Sequence, residues 1–113
     1  MDILMTLKII SAGVTVATGL LALLKPTAVY GFTGLTANGA RGVSEIRAIF
    51  GGLFIALGIV PFFLGTPAYQ MLGITYLGIA LARAFSIVYD NSPAASNLLS
   101  LVVEIALGVI LVI

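Results

Sequence analysis

The chain has 113 residues, 61% of them hydrophobic and 8% charged, with five basic and four acidic side chains and a net charge of +1; its mean hydropathy is +1.26. A water-soluble domain covers itself with about 25% charged residues, so this composition excludes a soluble monomer and makes a bilayer the solvent. No basic cluster exists to neutralise phosphates, which excludes nucleic acid as a partner, and the absence of Cys, His and Trp removes disulfides, thiolate chemistry, zinc sites, Fe–S clusters and the usual haem ligand.

The hydrocarbon core of a bilayer is about 30 Å thick and takes about 20 apolar residues in a helix. Four segments qualify, at about 3–24, 44–64, 68–89 and 95–113. The predicted fold is therefore all-α, an integral membrane four-helix antiparallel bundle in a single transmembrane domain over residues 1–113. The first span is not expected to be a cleaved signal peptide: its apolar run is too long, and Lys25-Pro26 ends it. The weakly polar connection at 27–39 places Val29-Tyr30-Gly31-Phe32 at headgroup depth. Ser44-Glu45 opens the second span, with the carboxylate at the positive end of the helix dipole. Gly65-Thr66-Pro67 is a tight turn that predicts antiparallel neighbours on either side of it. Asp90-Asn91-Ser92-Pro93 leads into the fourth span, where Ser92 or Ser96 is placed to cap the helix.

Lys25, Arg41, Arg47 and Arg83 fall on or near the side of the first and third connections, and Lys8, offset by Asp2, falls on the other. By the excess of positive charge on cytoplasmic loops, both termini are expected outside. An offset of 39 residues aligns Gly13, Ala17, Gly19, Thr27, Tyr30, Gly34 and Thr36 with Gly52, Ala56, Gly58, Thr66, Tyr69, Gly73 and Thr75, a faint internal similarity.

Helix association in lipid depends on small residues and polar contacts, because lipid tails are as apolar as the helices. At about 100° per residue, Lys8, Ser11, Ala12, Thr15, Gly19 and Ala22 share one face of the first span. The second carries two stripes, one of Glu45, Ala48, Gly52 and Ala56 and the other, nearly opposite, of Arg47, Gly51 and Gly58. Tyr69, Tyr76, Arg83 and Asp90 form a polar seam on the third, and Asn97, Ser100, Glu104 and Gly108 share a face of the fourth. Gly13, Gly51, Gly52, Gly58 and Gly78 are the glycines expected at helix contacts.

A charge at the centre of a span costs about 2.5–3.5 kcal/mol on insertion scales, so the buried charges need partners. Arg83 is expected to bond Glu104 or Glu45, and Asp90 to pair with Arg41 or Arg47, while Lys8 snorkels outward along its stem. Tyr30, Tyr69 and Tyr89 fit an interfacial belt. Tyr76 lies deeper, where its hydroxyl needs a partner. Glu45, Arg47, Tyr76, Arg83, Asp90 and Glu104 are thus the candidate intramembrane polar cluster. These charges either hold the bundle together, or line a pocket for a lipid headgroup or small polar ligand, or conduct ions. No catalytic residue, metal site or cofactor is indicated.

In Ser44-Glu45-Ile46-Arg47-Ala48, Phe50-Gly51-Gly52-Leu53 and Ala80-Leu81-Ala82-Arg83-Ala84-Phe85-Ser86 with Asp90, the chain resembles a family of small bacterial membrane proteins of unknown function that is similar to the DoxX-like four-helix proteins. The resemblance implies a four-span bundle with Glu45, Arg47 and Arg83 as signature positions, and it brings no activity. The functional expectation is a non-catalytic accessory subunit of a larger bacterial membrane complex, respiratory or photosynthetic in type, in contact with lipid and with other integral membrane subunits. The alternative is a small membrane enzyme or carrier with a lipid-like substrate in a polar intramembrane pocket.

Overall fold

Asp2 starts the first helix, its Oδ1 accepting from the Met5 amide at 2.8 Å, as an N-cap does for one of the amides a helix leaves unpaired. The computed structural model describes residues 2–113, with α1 at Ile3–Leu24, α2 at Ala40–Leu64, α3 at Thr66–Tyr89 and α4 at Ala95–Val112. The described residues contain no strand. All four helices are long and apolar enough to cross a membrane, which makes this a multi-pass membrane protein.

Between α1 and α2, Pro26–Val29 forms a 3₁₀ turn and Tyr30–Thr33 a single helical turn. That turn packs against α4, so Val29-Tyr30-Gly31-Phe32 is part of the bundle and not only an interfacial strap. α2 begins at Ala40, a turn before the expected start, so Ser44 and Glu45 lie within the helix and do not cap it. Residues Ile46–Leu53 of α2 are π-helical, with hydrogen bonds closing wider turns than those of an α-helix. Gly65 joins α2 to α3 at φ 72°, a left-handed conformation that glycine adopts without steric cost. α3 ends with Asn91 at φ 52° and the Ser92 amide donating back to the Ile87 carbonyl at 3.0 Å, a Schellman-type close. Ala94, not Ser92 or Ser96, stands at the N-terminal cap of α4.

The helices associate as two pairs. α1 packs along α2 and α3 along α4, and contacts between the pairs are few. The tight Gly65 turn brings the end of α2 beside the start of α3 without packing their lengths together. The result is flattened, with principal extents of 44 × 31 × 17 Å. Each pair is sealed by glycine. A Cβ on Gly19 would stand 2.8 Å from the Gly51 carbonyl, one on Gly58 2.8 Å from the Ala12 carbonyl, and one on Gly73 2.9 Å from the Gly108 carbonyl. Nothing lies within 4 Å of a Cβ at Gly13, Gly52 or Gly78; these three expected packing glycines face open space, so no neighbouring helix approaches them.

Lys8, Ser11, Ala12, Thr15, Gly19 and Ala22 are the buried face of α1. Lys8 turns inward and is buried, where the sequence predicted a stem reaching outward. Tyr69 is likewise buried, in a cluster with Ala12, Leu72, Tyr76 and Leu111, and its ring meets Phe62 edge-on at 6.3 Å; it is a core residue and not part of an interfacial belt. Leu, Ile, Val and Phe side chains on the outer faces, such as Phe63, Leu81 and Val88, are exposed, as lipid-facing residues are.

Candidate functional site

The two pairs leave a cleft between them, and its charged lining comes from α3 and α4. Arg83 lies in the last third of α3, opposite Glu104 of α4. Its Nε donates to Glu104 Oε1 at 2.8 Å and its Nη2 to Glu104 Oε2 at 2.7 Å. This two-pronged geometry fits a planar guanidinium to a carboxylate and is the strongest form of such a pair. Nη1 donates to Asn97 Oδ1 at 2.8 Å. Asn97 is held in turn through Nδ2, which donates to the Ser92 carbonyl at 3.0 Å and to Ser92 Oγ at 3.1 Å. The connection before α4 thereby fixes the amide that fixes the guanidinium.

One turn of hydrogen bonds crosses from pair to pair. Thr15 Oγ1 of α1 lies 2.5 Å from the Tyr76 hydroxyl of α3. The threonine proton is directed to the Ser11 carbonyl at 2.8 Å, so Tyr76 is the donor to Thr15. The phenol proton is spent there, and the lone pairs of the Tyr76 oxygen stay available.

Two cavities open beside these groups. One, of about 220 Å³, is lined by Thr18, Tyr76, Ser100 and Glu104 on its polar side and by Val14, Phe54, Val103 and Leu107 on its apolar side. The other, of about 260 Å³, is lined by Phe50, Arg83, Ser96, Asn97 and Ser100. Phe32 and Ser100 belong to both walls. Phe32 reaches the cleft because the Tyr30–Thr33 turn packs on α4. Each cavity is a little smaller than the usual small-molecule site of about 300–1,000 Å³, and both have the mix of apolar lining with a few fixed polar groups that such sites share.

Of the six residues of the predicted polar cluster, the cleft unites Tyr76, Arg83 and Glu104. The others have separate places. Glu45 accepts from Arg41 Nη1 within its own helix, both side chains more than half exposed, and borders a groove that adjoins the 260 Å³ cavity through Leu35 and Phe50 without lining that cavity itself. Arg47 Nη1 donates to the Leu23 carbonyl at the end of α1, where the helix has carbonyls without partners. Asp90 accepts from Ser86 at 2.7 Å and pairs with neither Arg41 nor Arg47, because the hydroxyl one turn back lies within reach and those arginines belong to the other helix pair. Asn97 and Ser100 were visible as a shared face of α4, whereas the part of Phe32 was not: an aromatic in a loop carries no mark of the cavity it will cover. No group of three His, Cys, Asp or Glu among the described residues is placed to hold a metal ion.

No curated protein and no solved structure matches the chain. The model of one family does match, over residues 3–113, and the chain belongs to that family, described as a domain of unknown function, DUF4345.

Proposed function

We propose that the protein binds a lipid-like molecule within the bilayer, as a carrier does, in the cleft between its two helix pairs. The observation that carries this reading is the Arg83–Glu104–Asn97 cluster opening on cavities whose other walls are apolar. A bundle held only by an ion pair would gain by closing around it, since charges inside a membrane are costly. Here the pair borders open volume, with the Ser96 and Ser100 hydroxyls beside it.

An accessory role in a larger membrane assembly, respiratory or photosynthetic in type, is the second reading. It is favoured by the outer face of α2, where Glu45, Ala48, Gly52 and Ala56 are exposed and small enough to admit a close neighbour helix. Either role is placed in a bacterial cytoplasmic membrane with both termini outside, supported by the gathering of Lys25, Arg41 and Arg47 at one end of the helices. The likeness to DoxX-like proteins belongs to the same reading.

The test is gentle purification of the native protein from its own membrane in mild detergent, with mass spectrometry of whatever stays attached. A single protein carrying a lipid-like molecule at unit stoichiometry is the expected result. A reproducible larger complex transfers the proposal to the accessory role, and a lone chain with nothing bound overturns both.

A further inference from the structure

We infer that the molecule held in this cleft has an uncharged, hydroxylated head, so that its class is the neutral hydroxyl-bearing lipids and not the phosphorylated ones. The inference rests on the binding reading above and narrows it.

Arg83 has five N–H groups. Two go to the two oxygens of Glu104 and one to Asn97. One N–H on Nη1 and one on Nη2 remain, on a side chain that is 31% exposed and stands in the wall of the 260 Å³ cavity with the Ser96 and Ser100 hydroxyls. Those hydroxyls lie outside the Arg83–Asn97–Ser92 chain of hydrogen bonds. This end of the cleft therefore offers donors. The other end offers acceptors: the Tyr76 oxygen, whose proton is committed to Thr15, and the remaining lone pairs of the Glu104 carboxylate, both on the wall of the 220 Å³ cavity.

The sum of charge at the site is zero, because the one cation is bound through two prongs to the one anion. A phosphate or carboxylate head would have to stand beside Glu104 in a surround of low dielectric, or displace it from Arg83 and leave that carboxylate unpaired, the costly outcome for a buried pair. A hydroxyl both donates and accepts, and carries no charge, so it satisfies donors and acceptors without disturbing the pair. Val14, Phe54, Val103 and Leu107 form the apolar wall along which a tail would lie.

The test uses two probes that differ by one group: 1-oleoylglycerol, and the same molecule phosphorylated at its terminal hydroxyl. Each is titrated into the intact protein in mild detergent, and bound protein is counted by native mass spectrometry. 1-Oleoylglycerol is expected to bind at least about tenfold more tightly. Glu104→Gln, which leaves Arg83 without its counter-charge, is expected to reverse the preference. Ser100→Leu, which fills the wall common to both cavities, is expected to abolish binding of 1-oleoylglycerol, and it serves if the Glu104 variant does not fold. Equal or tighter binding of the phosphorylated probe, lost in Ser100→Leu, overturns the uncharged head and leaves the cleft a lipid site. Binding of neither probe, or binding that Ser100→Leu does not touch, overturns the cleft reading and this inference with it.

Discussion

The charged residues of this chain divide by what they touch. Arg41 and Glu45 form a helix-surface pair one turn apart, of the kind that contributes about 0.2–0.5 kcal/mol. Arg47 takes a carbonyl that α1 cannot satisfy itself, and a cation there also suits the negative end of the helix dipole. Of Glu45, Arg47 and Arg83, the first two thus support helices, and only Arg83 faces the cleft. Arg83 and Glu104 are different in kind, because their side chains are only 31% and 11% exposed. Removing one partner of a buried pair costs about 3–5 kcal/mol, whereas replacing both with apolar groups is often neutral. With Arg83 still partly accessible, Glu104→Ala is expected at the lower end, about 3 kcal/mol of lost stability. The double variant Arg83→Leu/Glu104→Leu is expected to lose less than Glu104→Ala alone. Unfolding in a titration of denaturing detergent measures both. A double variant as unstable as Glu104→Ala, or more so, would mean that the cost does not come from an unpaired charge.

At the scale of the helices, glycine decides which surfaces meet. Gly58 sits with the Ala12 carbonyl and Val16 in the space its missing side chain leaves, and Gly52, six residues earlier, meets nothing. Gly58→Ala is expected to destabilise by about 1–3 kcal/mol, the cost of overpacking a close contact. Gly52→Ala and Gly78→Ala are expected to be neutral or to stabilise by up to about 1 kcal/mol, since alanine is the better helix former. Thermal unfolding of the three variants in one detergent checks this ordering, and an equal loss in all three would sink the account. The same contrast shows what the sequence could reveal. The inner face of α1 is legible at 3.6 residues per turn because that helix keeps this period throughout. α2 does not. Ile46 and Gly51 are both buried although five α-helical steps separate their directions by about 140°; the wider turn of the π segment at Ile46–Leu53 brings them to one side. The stripe of Glu45, Ala48, Gly52 and Ala56 nevertheless stays on one side across the segment, and that side is exposed, so Gly52 makes no helix contact. Gly73 escaped notice for another reason: a glycine facing a helix and one facing lipid look the same in the chain. The offset of 39 also takes on a physical meaning. Gly19 meets Gly51 and Ile55, and Gly58 meets Ala12 and Val16, so this one aligned pair, Gly19 and Gly58, occupies symmetric places in the contact of two antiparallel helices.

For the whole molecule, the four spans and their class were legible from apolar run lengths alone, but their arrangement was not. A short turn such as Gly65 sets direction without setting packing, and the separation of the two pairs that opens the cleft is a property of all four helices at once. The arrangement gives the molecule two distinct ends. Lys25, Asn38, Arg41 and Asn91 lie at one, and Asp2, Gly65 and Thr66 at the other. The Arg83–Asn97 end of the cleft lies towards the first of these, because Ser96 and Asn97 are in the opening turn of α4. Positive charge collects on the cytoplasmic side of bacterial membrane proteins, so the polar mouth of the cleft is expected to face the cytoplasm. The chain has no Cys, which makes single-cysteine variants free of background for a thiol reagent that cannot cross membranes. Thr66→Cys is expected to label in intact cells. Asn38→Cys and Ser96→Cys are expected to label only after the membrane is opened. Labelling of Asn38→Cys and Ser96→Cys from outside, with Thr66→Cys protected, would invert the orientation while keeping the helices across the bilayer; labelling of all three from one side would mean that α2 and α3 do not cross it.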